Sequence, residues 1–284
     1  MSPAPRPKKK ILVAEDDRSL SHALCRMLGA KGYSVVKTGD GTRALEELAR
    51  EKFDLMLLDI GLPGTSGLDV LEKLRKHASA PRVIVMTADD TPETLLRAVR
   101  DRAFEYVTKP VPPKEIVGLV ERALKAPSVS APIEVISARP EWVELLVPCA
   151  RDVAERLQGF MQRLKADLPA DVRESVGQAF RELLLNAIEW GGKLDPSRKV
   201  RISYLRARRM LLYRIADPGP GFSFKKLAHA AVSNPVDNPV KHVKERERKG
   251  LRPGGFGILM VRAMVDELIY NEAQNEVVFV KYLD

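Results

Sequence analysis

The chain has only two cysteines in 284 residues, Cys25 and Cys149, which excludes a disulfide framework and suits a reducing compartment. No apolar run approaches the ~18 residues a membrane-spanning helix needs. The opening MSPAPRPKKK also lacks the apolar stretch of a secretory signal. A cytoplasmic protein without membrane contact is therefore expected. Histidine is scarce: His22, His77, His229 and His242 are the four, and none lies in 126–170. There is no internal repeat and no helix-turn-helix pattern. The net charge of +9 is scattered over residues 8–10, 206–209 and 241–252, and charge points to partners only where it clusters. No direct nucleic-acid contact is expected. What remains is an ordinary globular mixture, long enough for two domains at roughly 100–200 residues each.

From 8 to 125 the pattern alternates strand and helix. ILVA (11–14), YSVV (33–36), LMLL (55–58), VIVM (83–86) and EYVT (105–108) read as five short strands. Such nearly all-apolar strands are buried on both faces, which predicts a doubly wound α/β domain with a parallel sheet. APSVSAPIE (126–134) reads as a linker, with 126–131 between the domains. From 132 to 284 the spacing predicts an α+β domain. Its strands are IEVIS, WVELLV, a hairpin over 200–205 and 210–217, and 277–282; its helices are 151–164, 171–190 and 257–268. The polar stretch 223–253 is too long to be a mere connection, which marks it as functional or disordered.

Ligands of an open α/β sheet sit at the carboxyl ends of its strands. Here those ends carry Glu15, Asp16 and Asp17, then Asp59, then Thr87, then Lys109-Pro110. Converging carboxylates repel unless a cation lies between them, and hard oxygen ligands favour Mg²⁺. Asp59, Thr87 and Lys109 could then serve an incoming phosphoryl group as nucleophile, hydrogen-bond donor and point charge.

VAEDD, LMLLDIGLPG, VMTAD and YVTKP, in this order, resemble the receiver domain of two-component response regulators, with its flavodoxin-like five-stranded fold. The resemblance implies that Asp59 is the phosphoacceptor and Lys109 its ion-pair partner. Asp16 and the Gly61 carbonyl would hold Mg²⁺ beside Asp59, with Glu15 helping through water, and Thr87 and Tyr106 would be the switch pair. It also implies a cis Lys109-Pro110 bond, autodephosphorylation and a cognate histidine kinase.

In the second half, Glu182 and Asn186 are four residues apart on one helix and so share a face. A carboxylate there can activate a hydroxyl, and an amide oxygen can ligate a metal. IADPGPGF offers Asp217 as an acceptor for an exocyclic amine, with Gly219 and Gly221 for close backbone approach. RPGGFGILM places Gly254, Gly255 and Gly257 before a helix, where bare N–H groups favour phosphate. In this order the motifs resemble the GHKL, or Bergerat-fold, ATPases, most closely the anti-sigma-factor serine kinase branch. ELLLNAIEWGG stands for its acid-x-x-x-Asn box and VDEL for a stretch of its last helix. The resemblance implies Mg·ATP as ligand, Glu182 as general base, Asn186 on Mg²⁺ and Asp217 reading adenine. Gly219 and Gly221 would line the base pocket, Gly254, Gly255 and Gly257 would cradle phosphate, and 241–252 would be a lid. Where the family often has His, this chain has Trp190, read as a core anchor ahead of a stacking residue.

Without a phosphoacceptor His in 126–170, the ATPase half is not an orthodox histidine kinase. The expected function is a response regulator whose output is an ATP-dependent serine/threonine kinase acting on an anti-sigma-factor antagonist. The alternative is an ATP-liganded module that sequesters a sigma factor without phosphotransfer. Both families also allow a homodimer.

Overall fold

The computed structural model describes residues 8–77, 79–89, 91–125, 132–139, 141–164, 167–223, 243–244, 248 and 256–283. The chain divides into two compact units, 1–128 and 129–284.

In the first unit five strands form one parallel sheet: β1 (Lys10–Ala14), β2 (Ser34–Thr38), β3 (Leu55–Asp59), β4 (Arg82–Thr87) and β5 (Glu105–Thr108). Their order is β2-β1-β3-β4-β5. The helices are α1 (Arg18–Ala30), α2 (Gly41–Arg50), α3 (Gly67–Arg75), α4 (Pro92–Arg100) and α5 (Pro113–Lys125). Every residue of β3 is buried, as its apolar sequence requires. Ile11, Val13, Leu55, Leu57, Ile84 and Met86 pack with Leu24 and Leu28 of α1 and Ile116 and Val120 of α5. Burial of each such side chain stabilises by about 1.5–3 kcal/mol. Side-chain caps start the helices: Asp17 accepts from the Ser19 and Leu20 amides, Asp40 from Arg43 and Ser66 from Asp69.

The second unit is a six-stranded antiparallel sheet, β6 (Glu134–Arg139), β7 (Trp142–Pro148), β8 (Lys199–Ala207), β9 (Met210–Ala216), β10 (Glu267–Tyr270) and β11 (Glu276–Tyr282). The order is β10-β11-β9-β8-β7-β6. Among the described residues, helices α6 (Arg151–Arg163), α7 (Ala170–Asn186) and α8 (Gly257–Met264) accompany it, with α7 packed against α6, α8, β9 and β11. Alternation along the strands turns Tyr204, Tyr213 and Phe279 to the helices. Tyr213 stacks on Phe279 at 4.7 Å and meets Phe180 of α7 at 5.4 Å. Both units therefore have the architecture expected: a flavodoxin-like parallel receiver fold, then an antiparallel α+β sandwich of GHKL type.

Three details differ from expectation. The last helix ends at Met264 rather than 268, because Val265 turns extended and Glu267–Tyr270 pairs with β11 instead; VDEL thus straddles a bend and a strand. The predicted helix 171–190 is α-helical only to Asn186 and continues as a π-turn over Ala187–Gly191. Trp190 is 55% exposed and so is not a core anchor; Ala187 and Ile188, on the inward side of the same turn, fill the core instead. The linker 126–131, most of the proposed lid, Gly254, Gly255, His229 and His242 lie outside the described residues.

Candidate functional sites

The first site forms where β1, β3, β4 and β5 end. Glu15 follows β1 and is 2% exposed; Asp59 closes β3 at 5%; Thr87 closes β4 at 2%. Lys109 leaves β5 through a cis bond to Pro110. Its Nζ donates to Asp59 Oδ2 at 2.7 Å and to Glu15 Oε1 at 2.8 Å. Gly61 lies beside the same carboxylate, its N–H donating to Asp59 Oδ1 at 3.1 Å. Glu15, Asp16 and Asp59 each bring an oxygen within 4.8 Å of the others, whereas Asp17 is used as the α1 cap.

Three carboxylates around one ammonium leave net negative charge. Burial first, and then the charge of Asp59, push the Glu15 carboxyl up to about 7 against the pull of Lys109. For Lys109 burial acts to lower the pKa, but the bonds to Asp59 and Glu15 outweigh it and the value is raised. An all-oxygen donor set with uncompensated negative charge fits a hard divalent cation such as Mg²⁺. Thr87 and Tyr106 are both buried, and they meet through Asp89. The Asp89 N–H donates to Thr87 Oγ1 at 2.9 Å, and the Tyr106 hydroxyl donates to the Asp89 carbonyl at 2.5 Å. Asp89 carries no motif of its own, and its place within VMTAD, two residues past Thr87, is the only signal the sequence offers for it.

The second site gathers at one end of α7. Glu182 projects towards the start of α8: a Cβ added to Gly257 would fall 2.7 Å from Glu182 Oε2. Asn186, one turn on, is half-buried and ends α7. The π-turn after it brings Gly191 against Asp217, where an added Cβ would fall 2.2 Å from the carboxylate. Short π segments of this kind are frequent at functional sites. Asp217 follows β9, and its N–H donates to the Asn275 carbonyl at 2.8 Å. Its Oδ1 accepts from Gly219 N–H at 2.7 Å.

Burial raises the Asp217 carboxyl, opposed by the Gly219 N–H and the charge of Arg198. The turn is latched from behind. Asn275 Nδ2 donates to the Gly219 carbonyl at 3.0 Å, and Phe222 N–H donates to the Ala273 carbonyl at 3.2 Å. Gly221 has φ +82°, and an added Cβ would fall 1.7 Å from Ala273 O. Only glycine fits there. Glu182 is thus placed with Gly257, and Asp217 with Gly191 and Gly219. Gly191 had not been anticipated; the paired glycines ending ELLLNAIEWGG were its trace in the sequence.

Comparison with known proteins finds two matches in tandem. The family described as "Response regulator receiver domain" matches residues 11–121, and "Histidine kinase-like ATPase domain" matches 143–281. The "DNA-binding response regulator MtrA" of Mycobacterium tuberculosis is 32% identical over 205 residues, covering 71% of this chain and 88% of the relative. The "Sensory transduction protein RegX3" of Mycolicibacterium smegmatis is 37% identical over 115 residues, 40% of this chain and 50% of its own. Among solved structures, a CheY-like receiver domain protein from Methanospirillum hungatei is 28% identical with a TM-score of 0.40. The match covers 42% of this chain and 94% of that one. Among the described residues, no helix is long and apolar enough to cross a membrane.

Proposed function

Since the chain belongs to the response regulators and joins a receiver domain to a histidine kinase-like ATPase domain, we propose that phosphorylation of Asp59 controls a nucleotide-dependent serine/threonine kinase. In this reading the Asp59 carboxylate attacks the phosphoryl group of a phosphohistidine on the cognate kinase. The P–N bond breaks and an aspartyl phosphate forms. Lys109 balances the added charge at its present 2.7 Å contact, and the Thr87 hydroxyl donates to a phosphoryl oxygen. Glu15, Asp16, Asp59 and the Gly61 carbonyl are the groups that would hold Mg²⁺, whose part is to neutralise charge on the transferring group. Water later cleaves the acyl phosphate, returning Asp59 and inorganic phosphate.

In the ATPase domain Asp217 accepts a hydrogen bond from the exocyclic amine of adenine, with Gly219 and Gly221 lining the base pocket. Asn186 would hold a second Mg²⁺, and Gly257, with Gly254 and Gly255 that lie outside the described residues, would serve the phosphates. Glu182 takes the proton of a substrate Ser or Thr hydroxyl as its oxygen attacks the γ-phosphorus and the bond to the β-phosphate oxygen breaks. The substrate class is an anti-sigma-factor antagonist. The carrying observation is the close approach of Glu182 to Gly257 in a chain without histidine in 126–170. Incubating the full chain with γ-labelled ATP and antagonist proteins tests it. Label should reach the antagonist and fall at least a hundredfold in Glu182→Ala; equal labelling removes that role from Glu182.

A second reading is favoured by Trp190, which is 55% exposed beside the Gly191 wall of the base site. Exposed tryptophans are common anchors of protein interfaces. Here ATP is a ligand only, and the domain grips a sigma factor or other regulator. Tight nucleotide binding without labelling of any partner selects it.

A further inference from the structure

Arg198 reaches the base site from the start of β8. Its backbone is fixed on both sides: the carbonyl accepts from Cys149 N–H at 3.0 Å, and the N–H donates to the Asp195 carbonyl at 3.0 Å. The half-buried side chain extends to the turn after β9, where its guanidinium donates to the Pro218 carbonyl. Asn275 and Ala273 hold the same turn at Gly219 and Phe222 through neutral groups, whereas Arg198 brings a charge. That charge lies near Asp217, whose carboxyl burial raises and which the Gly219 N–H, and then Arg198, pull back down. The other titratable groups on the surrounding elements do not take its place. Cys149, just after β7, has a thiol pushed up by burial to about 11 and is neutral at ordinary pH. Asp195 is kept ionised by the Ser197 hydroxyl and N–H, and Glu189 and Glu276 are paired with Arg151 and Arg214.

We propose that Arg198 is a positioning residue of the base site that also sets its specificity. It fixes the Asp217 turn through Pro218 and keeps Asp217 an acceptor, so that the site selects a purine with an amine at C6 over one with a carbonyl there. The inference rests on Asp217 being the reader of the base. An ionised carboxylate only accepts hydrogen bonds, whereas a protonated one also donates. The amine of adenine donates to the ionised form. The C6 oxygen of hypoxanthine only accepts, so against a carboxylate both groups stay unpaired, and a polar site rejects such an analogue strongly. Protonation of Asp217 removes the distinction, and the guanidinium opposes protonation. A residue that merely latched the turn would change the affinity for both nucleotides alike at every pH.

The test is calorimetric titration of the full chain with ADP and with IDP at pH 5.5 and pH 8, read as the ratio of the two affinities. In the unmodified chain ADP should bind at least about tenfold more tightly than IDP at pH 8. Arg198→Gln, whose amide can still donate to the Pro218 carbonyl, should keep that ratio at pH 8. At pH 5.5 its ratio should fall about threefold below that of the unmodified chain, the size expected of a half-exposed charge pair. Arg198→Lys, which keeps the charge, should follow the unmodified chain at both pH values. Salt supplies the same reading without a substitution: about 1 M KCl should lower the unmodified ratio at pH 5.5, because screening weakens the charge while phosphate contacts cancel between the two nucleotides. Ratios in Arg198→Gln equal to those of the unmodified chain overturn the proposal, as do equal ratios in the Gln and Lys variants or a ratio that salt leaves unchanged. An unmodified chain that does not bind ADP, or an Asp217→Asn variant that keeps the full preference for ADP, removes the base-site reading instead, and the inference with it.

Discussion

Gly257→Ala tests whether the glycine that opens α8 is there to make room for Glu182. The new methyl would stand 2.7 Å from Glu182 Oε2 and 3.6 Å from its Cδ, closer than a carbon and an oxygen tolerate. The obstructing atom is the far end of a flexible side chain, so the carboxylate swings aside rather than the backbone. Holding Glu182 off its preferred rotamer costs about 0.5–1.5 kcal/mol. Against this, alanine in place of glycine favours a helix by up to about 1 kcal/mol. The two nearly cancel, and the substitution alone should change stability by less than about 0.5 kcal/mol. In a Glu182→Ala background no other atom among the described residues crowds the methyl, and the full gain of about 1 kcal/mol should return. That corresponds to a melting shift of about 2–4 °C for a unit of this size. The assay is a double-mutant cycle followed by denaturant and thermal unfolding of the second unit, with expected coupling near 1 kcal/mol. Equal gains in both backgrounds would refute the contact. The contact between Glu182 and Gly257 needs no catalytic activity, so it is the same in a kinase and in a binding module.

Acidity should distinguish the receiver pocket. The folded Glu15 carboxyl titrates at about 7 against an ordinary 4.5. Its stabilising share is therefore complete below about pH 4.5 and lost as pH rises through 7, a change of roughly 3 kcal/mol. Denaturant unfolding of the receiver without divalent metal should show this slope between pH 5 and 8, and Glu15→Gln should flatten it. Asp217→Asn keeps an acceptor for the Gly219 N–H but loses the charge, and calorimetric titration should find ADP affinity down about tenfold. Because the Asp217 carboxyl is raised by burial, ADP affinity of the unmodified chain should begin to fall at a higher pH than an ordinary aspartate dictates, and the variant should lack that fall. Gly221→Ala meets both a positive φ and the Ala273 carbonyl, and should destabilise the second unit by about 2–4 kcal/mol in denaturant melts. A melt within 0.5 kcal/mol of the unmodified chain would show that this turn is not latched as described.

The sequence by itself determined the two architectures and the list of chemistry-bearing residues. Short all-apolar strands end where the apolar run ends, so Glu15, Asp59, Thr87 and Lys109 had to emerge at one edge of the sheet. The four-residue spacing of Glu182 and Asn186 likewise put them on one helical face. Both are local periodicities, which a chain carries whatever surrounds it. Only the tertiary structure decided the partnerships. Lys109 reaches Glu15 across 94 residues of sequence and Asp59 across 50. Asp89 gathers Thr87 and Tyr106 on its backbone, and Gly257 faces Glu182 from another helix. The apolar residues around 265–268 continue a helical pattern, yet they become a strand because β11 offers an edge to pair with. Trp190 has the composition of a core residue but sits on the outward side of a π-turn that its neighbours Ala187 and Ile188 anchor. Pairing across distant segments is chosen by which surfaces remain to be buried once the local elements exist, and no stretch of sequence encodes that alone.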